Sequence, residues 1–440
     1  MSRPSRRGFL AATMAAAAGS GLAARPVAAN AALPPPMGDA EPFWGEHQGG
    51  IATPPQRYTY FAAFDVTAAT RGEVAELLHA WTAAAARMAA GQTAQPLADR
   101  LAPAVAPDRG RRKGDSYDAP DAAAMAADTG EVLGMPAERL TVTFGFGAGL
   151  FAKDGKDRFG LAARRPAALV DLPKFPGEEL VAAHTGGDLS VQACADDAQV
   201  AFHAVRQLAR IAAGAATIRW AQSGFRPHPV GRETPRNLMG FKDGTINPAA
   251  GDAKVMRAVV WAGSEGPAWM QGGSYVVARR IRMALEHWDR VQVAFQEQTF
   301  GRHKYSGAPL GGKNETDPPN LAAKDKDGNF IIAENAHVRL AAAATNDGAQ
   351  ILRRPYSYNN GVDFVAERWP PWHQGLEYDA GLLFICYQRD PRSGFIRIFE
   401  RLAKFDMMNQ FTTHVGGGLF ACPGGAAAGG FIGQRLFERS

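Results

Sequence analysis

The sequence predicts an α+β protein of two ferredoxin-like halves, each an antiparallel sheet backed by helices. Three observations carry this. At 440 residues the chain is too long for one small core, so two domains is the natural division. Its first half reads strand, helix, strand, strand, helix, strand, which is the split βαβ order. The second half repeats that order more loosely, within a composition (46% apolar, 21% charged) ordinary for a folded soluble chain.

The elements follow in order. Tyr58–Val66 is aromatic-rich and bounded by turn residues, hence a strand. Thr70 and Glu73 form a capping-box pattern, followed by Val74, Leu77, Trp81, Ala85 and Met88 at helical spacing. Residues 101–136 are Ala/Pro/Asp/Arg-rich and aperiodic, a long surface insertion. Leu140–Phe146 alternates as a strand. Its tail, Gly145-Phe146-Gly147-Ala148-Gly149-Leu150, puts Leu150 where a dinucleotide fingerprint needs its third glycine, which excludes that reading. Leu189–Ala193 is a short strand, and Asp196 can cap a helix carrying Ala201, Val205, Leu208 and Ala212. Ala216–Gln222 is a further strand.

In the second half Tyr275–Met283 is a strand, Glu286–Glu297 a helix, and Gln350–Tyr358 and Leu382–Tyr387 are strands. Phe395, Ile398, Leu402 and Phe405 mark an amphipathic helix, and the Gly-rich end from Gly416 closes the domain. The halves are expected over 57–225 and 226–440, packed sheet to sheet, after a Pro/Gly-rich extended arm at 31–56 that packs on a neighbour.

Residues 1–30 have another character. Ser5-Arg6-Arg7-Gly8-Phe9-Leu10 precedes a weakly apolar alanine-rich run, with small residues near Val27–Ala31 suited to cleavage. Paired arginines before Phe-Leu look like a twin-arginine signal peptide, hence an exported, periplasmic or extracytoplasmic protein. Four arginines and no acid lie in residues 1–29, so subtracting them from the formal +5 leaves +1. That removes the compositional case for nucleic acid. No run is long and apolar enough for a membrane span. Cys194, Cys386 and Cys422 are far apart, without C-x-x-C or C-x-x-C-H, so neither a zinc ribbon nor covalently attached haem is supported.

Chemistry concentrates in Gly240-Phe241-Lys242-Asp243-Gly244-Thr245-Ile246-Asn247-Pro248. Glycine on either side lets the backbone approach a ligand, so Asp243 is either a turn-maker or a carboxylate presented to a pocket. Downstream stand Ala336-His337-Val338-Arg339 and Arg353-Arg354. One carboxylate, one histidine and one arginine are the parts a peroxidase assembles around a haem. His337 differs from the other histidines in its alanine neighbours and the small tract Ala341–Ala344, against which a flat ligand can lie. Neutral imidazole is a standard axial ligand to haem iron, the alternative being a structural histidine. Asp406 is the best candidate acceptor for the Nδ1–H of His337, or else a helix-surface aspartate. One of the adjacent strand arginines must point inward, and Arg353 suits a haem propionate or a nascent peroxide anion, or a structural ion pair.

Together these motifs resemble the dye-decolourising peroxidase family, and more narrowly its exported deferrochelatase/peroxidase branch of bacterial iron-uptake systems. Gly187-Asp188-Leu189, Gln192–Asp197, Gly273-Ser274-Tyr275, Arg279–Met283, Leu382-Leu383-Phe384 and Thr412–Gly416 extend the resemblance from about Arg57 to the C-terminus. It implies two ferredoxin-like domains in a dimeric α/β-barrel-like arrangement with non-covalent haem b. It also implies His337 as iron ligand, Asp243 as distal acid–base residue, Arg353 as distal arginine, and Gly244, Thr245 and Ile246 at the haem edge. The activity implied is reduction of H2O2 by one-electron donors (dyes, phenolics, porphyrinogens or ferrous iron). The alternative is a periplasmic haem-binding or deferrochelatase protein with little turnover. Iron-uptake permease components and a homo-oligomer are the implied partners. Trp369, Trp372, Tyr378 and Tyr387 are candidates by type for relaying electrons. One departure stands out: the branch has a propionate-binding arginine shortly after the histidine, where this chain has Ala342-Ala343-Ala344.

Overall fold

The computed structural model describes residues 39–96, 128–227, 233–366 and 374–438. The expected signal peptide, the start of the arm, most of the 101–136 insertion, and Trp369 and Trp372 lie outside the described residues. Strand β1 (Tyr58–Val66) shows how alternation builds the molecule. Phe61 and Ala63 enter one core, while Ala62, Phe64 and Val66 enter another on the opposite face.

Helix α1 (Arg71–Ala89) begins at the expected capping box, with the Thr70 hydroxyl accepting from Glu73 N and the Glu73 carboxylate reaching back to Thr70 N. The helical stripe from Val74 to Met88 is buried, and Trp81 Nε1 donates to Leu208 O at 2.7 Å. Strand β2 (Thr141–Gly147), a single turn α2 (Ala148–Phe151), β3 (Leu189–Ala195), α3 (Ala198–Ile211) and β4 (Ala216–Phe225) complete the first half. The glycines after β2 serve packing, since a Cβ at Gly147 would lie 2.0 Å from Gly187 O. The cap of α3 is Asp197 rather than Asp196, because Asp197 accepts from Gln199 N and Val200 N. Asp196 instead takes Arg57 N and the Arg139 guanidinium.

The second half contains α4 (Ala253–Val259), β5 (Ser274–Met283), α5 (Leu285–Trp288), α6 (Val293–Phe300) and α7 (His337–Ala341). It continues with β6 (Leu352–Arg353), β7 (Tyr356–Ala366), β8 (Gln374–Gln388), α8 (Phe395–Phe405), β9 (Thr412–Cys422) and α9 (Gln434–Phe437). The helix expected over Glu286–Glu297 is two pieces. Trp288 is buried with its Nε1 on Met239 O, and the Gln296 amide takes up Trp288 O and Val291 O across the break. The strand expected over Gln350–Tyr358 is interrupted at Arg354-Pro355, where proline cannot donate to a ladder. The Gly-rich end expected from Gly416 is the last strand of the sheet.

Each half has the ferredoxin strand order: β2-β3-β1-β4 in the first, and β9-β5-β8 with β6 and β7 along the outer edge of β8 in the second. The halves face each other across Phe61, Trp220, Val276, Tyr356, Leu383, Ile385, Tyr387 and Phe420, all buried. They are also joined at their edges, β2 to β9 at Phe146↔Ala421 and β4 to β7 at Phe225↔Ser357. The result is one ring of strands around a packed interior, with helices outside.

Over its described part the arm packs on its own chain. Gln48 Nε2 donates to Phe144 O and Pro423 O, Ile51 enters the ring interior, and His47 stacks on Trp261 with ring centroids 3.7 Å apart. The end of the insertion also packs inward. His203 of α3, only 1% exposed, lies with Nδ1 3.0 Å from Glu131 Oε1 and Nε2 3.3 Å from Asp128 Oδ2.

Candidate functional site

His337 is the first residue of α7, and the end of α6 fixes where it stands. Gly301 closes α6 at φ +79, and a Cβ there would come within 2.5 Å of Val338 Cγ1 and 3.3 Å of Ala336 Cβ. Only glycine permits this approach. The Phe300 ring consequently sits 6.2 Å from the imidazole, backed by Met239, Phe241, Met283, Trp288, Met408 and Phe411.

Asp406 approaches from the other side. The amphipathic helix α8 buries Phe395, Ile398, Phe399 and Ala403, which at about 1.5–3 kcal/mol per large side chain makes it a firm support. Phe405, expected on that stripe, is 61% exposed instead. Asp406 ends the helix, with Oδ1 taking Met408 N at 2.8 Å and Oδ2 lying 2.6 Å from His337 Nδ1. The carboxylate is 3% exposed, while 34% of the His337 side-chain surface is open. So Nδ1 is consumed, and Nε2 has no hydrogen-bond partner among the described residues. Burial alone would pull the imidazole pKa down. The charge and hydrogen bond of Asp406 outweigh it, with Arg353 opposing and Asp243 assisting, so the pKa is raised.

Asp243 and Arg353, whose charges reach the imidazole, belong to one built unit. Gly240 and Gly244 have φ +84 and +114, the left-handed conformations their places around Asp243 suggest. Asp243 N donates to Pro235 O, and Arg236 ties Gly240 O to Lys304 O and Tyr305 O. The Asp243 carboxylate lies 3.4 Å from Arg353 Nη1, while Arg353 Nη2 donates to Ile246 O at 3.3 Å. Both contacts are long for charged hydrogen bonds. Asn247 bridges the two segments, its amide exchanging two 2.9 Å bonds with the Arg353 backbone. A carboxylate and a guanidinium are therefore held together within electrostatic reach of the histidine, and Ile246 beside them is 56% exposed.

The arginine pair divides as alternation requires. Arg354 is the one that points into the ring interior, 2% exposed, yet it meets no anion: its guanidinium binds Thr53 O and Gln56 Oε1. Among the electron-relay candidates, Tyr387 is buried on Gln192 and Tyr378 is half exposed. Where the resemblance places an arginine at Ala342–Ala344, α8 approaches the following turn, Arg401 donating to Thr345 O at 2.6 Å and Arg397 pairing with Asp347. Sequence reasoning missed Glu315, which binds Lys242 at 2.5 Å and Thr245 at 3.1 Å. It lies some seventy residues from that loop with no motif around it. Asn247 lay inside the singled-out stretch and its amide was the available signal.

A haem fits this arrangement, because the free ring nitrogen of a partly open, carboxylate-anchored imidazole is the donor its iron takes. Comparison with known proteins agrees. Residues 48–226 and 234–427 match the models of the Dyp-type peroxidase N-terminal and C-terminal regions. The chain is 37% identical to a dye-decolorizing peroxidase of Thermobifida fusca, covering 99% of this chain and 97% of the relative. It is 36% identical to a deferrochelatase of Escherichia coli K12, over 92% and 89%. Among solved structures, ferric DtpA from Streptomyces lividans superposes with a TM-score of 0.75 at 39% identity, covering 91% of this chain and 98% of that one. A DyP-type peroxidase from Cellulomonas bogoriensis gives 0.76 at 37%, over 91% and 99%.

Proposed function

The chain belongs to the Dyp-type peroxidase family, and from that premise we propose that it reduces hydrogen peroxide with one-electron donors at a haem held by His337. The observation that supports the site most directly is the His337–Asp406 contact of 2.6 Å, with the charges of the Asp243–Arg353 pair reaching the same imidazole. When bound, the haem supplies a redox iron at which the peroxide O–O bond is broken. Everything else falls to the protein. Asp406 holds the Nδ1 proton, fixing the tautomer that leaves Nε2 free for iron. Asp243 is the acceptor that takes a proton from the near peroxide oxygen and returns it to the far one. The Arg353 guanidinium sets positive charge where negative charge develops during cleavage. Asn247 holds the Arg353 backbone, so both groups keep their places without reorganising.

Replacing His337 with Ala should abolish the Soret band or sharply lower haem occupancy. Unchanged occupancy with an unchanged ferric spectrum refutes the assignment. Iron release from intact porphyrin is a second reading, supported by the relatives named deferrochelatase. It would generate metal-free porphyrin fluorescence from the haem-loaded protein without peroxide, whereas the paired Asp243 and Arg353 favour peroxide chemistry. Export through the twin-arginine route is part of the same proposal and is supported by Arg6, Arg7 and the alanine-rich run after them.

A further inference from the structure

Asp243 has neighbours that the chemistry above leaves unexplained. Lys242, one residue before it, and Thr245, two after it, both turn to the same carboxylate. Glu315 Oε2 lies 2.5 Å from Lys242 Nζ, and Oε1 accepts from Thr245 Oγ1 at 3.1 Å. The pair is well covered, with 11% of Lys242 and 17% of Glu315 side-chain surface exposed. Glu315 is itself fixed, because Arg302, 7% exposed, donates through Nη1 to Glu315 O at 2.9 Å and to Gly307 O at 2.6 Å. Gly307 completes the seat. It has φ +76, and a Cβ there would lie 2.7 Å from Lys242 Cδ and 3.3 Å from Glu315 Cγ. Burial pushes the Glu315 carboxyl pKa up, but hydrogen bonds from Lys242, Thr234 and Thr245 outweigh it and hold the group ionised.

We propose that Glu315 is a positioning residue for Asp243, clamping the loop on both sides of the carboxylate and neutralising Lys242 so that its ammonium does not compete with Arg353 for the carboxylate. The inference rests on the reading of Asp243 given above. The residue touches neither haem nor peroxide in this role. It acts through the loop, whose two glycines would otherwise leave Asp243 free to swing. Small displacements of a reacting group are costly, on the order of a hundredfold for about 1 Å. With Lys242 left unpaired, its ammonium also becomes a competing partner for Asp243.

The test uses four full-length variants: Glu315→Gln, Glu315→Ala, Asp243→Asn and the double Glu315→Ala/Asp243→Asn. In haem-loaded protein the second-order rate with H2O2, read at the Soret band, should fall about tenfold in Glu315→Ala and less in Glu315→Gln, which keeps the Thr245 contact. In the Asp243→Asn background the Glu315→Ala change should have almost no further effect. In haem-free protein, amide exchange over residues 240–248 should quicken in Glu315→Ala while haem uptake stays at the parent value. A parent-like rate in Glu315→Ala, unchanged exchange at 240–248, or an undiminished tenfold fall in the double variant overturns the proposal. Should Asp243→Asn alone react at the parent rate, the reading of Asp243 is what fails. Faster exchange would then show a loop clamp without a catalytic purpose.

Discussion

Asp406→Asn isolates one hydrogen-bonded charge. Asparagine keeps the oxygen that accepts Met408 N, so the end of α8 stays capped, but an amide replaces the carboxylate oxygen 2.6 Å from His337 Nδ1. A hydrogen bond to a charged group contributes about 1.5–3 kcal/mol, and loss of the partner behind a ligating histidine costs roughly 10- to 100-fold in metal affinity. At about 1.4 kcal/mol per tenfold the two figures agree, at about 1.4–2.8 kcal/mol. Haem titration of the apoprotein should therefore show binding weakened by about 10- to 100-fold. A second readout needs no haem. In the parent the imidazole pKa is raised because Asp406 overcomes burial. With that charge gone, burial and Arg353 are opposed only by the smaller pull of Asp243, so NMR titration should find it below the ordinary 6.5. The sign for stability follows: a raised folded pKa contributes stability below pH 6.5 that is lost as pH rises through the folded value. Apo-parent Tm should thus fall across that alkaline window, and the variant should lack this component. Unchanged haem affinity together with an unmoved imidazole titration would refute the coupling.

Other outcomes follow from the same geometry. Arg353→Leu should slow the Soret change with H2O2 by about 10²–10³-fold and exceed the effect of Asp243→Asn, since water can partly replace a proton relay but not a fixed charge; equal or reversed effects would contradict that order. Arg6→Lys with Arg7→Lys should leave the precursor in the cytoplasm, and undiminished periplasmic protein in fractionation would point to another route. Burial pushes the Glu131 carboxyl up, but bonds from Thr129, its own backbone and His203 bring it to about 2. Its contribution is present above pH 4.5 and lost as pH falls toward 2, so Glu131→Gln should flatten part of the acid decline in Tm.

The fold was legible wherever the pattern is local. Tyr58–Val66 is a strand over the residues that its aromatics and flanking turns suggest, and Thr70 with Glu73 caps α1 because the box needs only residues three apart. What failed required knowledge of distant partners. The break between α5 and α6 is stabilised by Gln296 and by the Trp288 bond to Met239, neither of which has a periodic signature. The joining of the halves at β2–β9 and β4–β7 depends on edges some 130 to 275 residues apart in sequence. No window along the chain displays them.

The site divides on the same line, and the division shows what a motif can convey. Gly240, Asp243 and Gly244 announce a turn presenting a carboxylate, and the positive φ at both glycines is what their spacing asked for. Alternation alone does not choose between Arg353 and Arg354; in the sequence it is the resemblance to the family's distal arginine that points to Arg353. Alternation says that one arginine points inward, but only the Asn247 bridge and the Pro355 interruption turn Arg354 into the ring and leave Arg353 with Asp243. Arg354 is buried without an ion pair among the described residues. Two carbonyl oxygens from the arm hold it, so the arm packs against the ring interior next to β6. A motif therefore names the groups that meet a ligand, whereas the residues that aim them (Glu315, Asn247, Gln56) are chosen by the fold and carry no signature of their own.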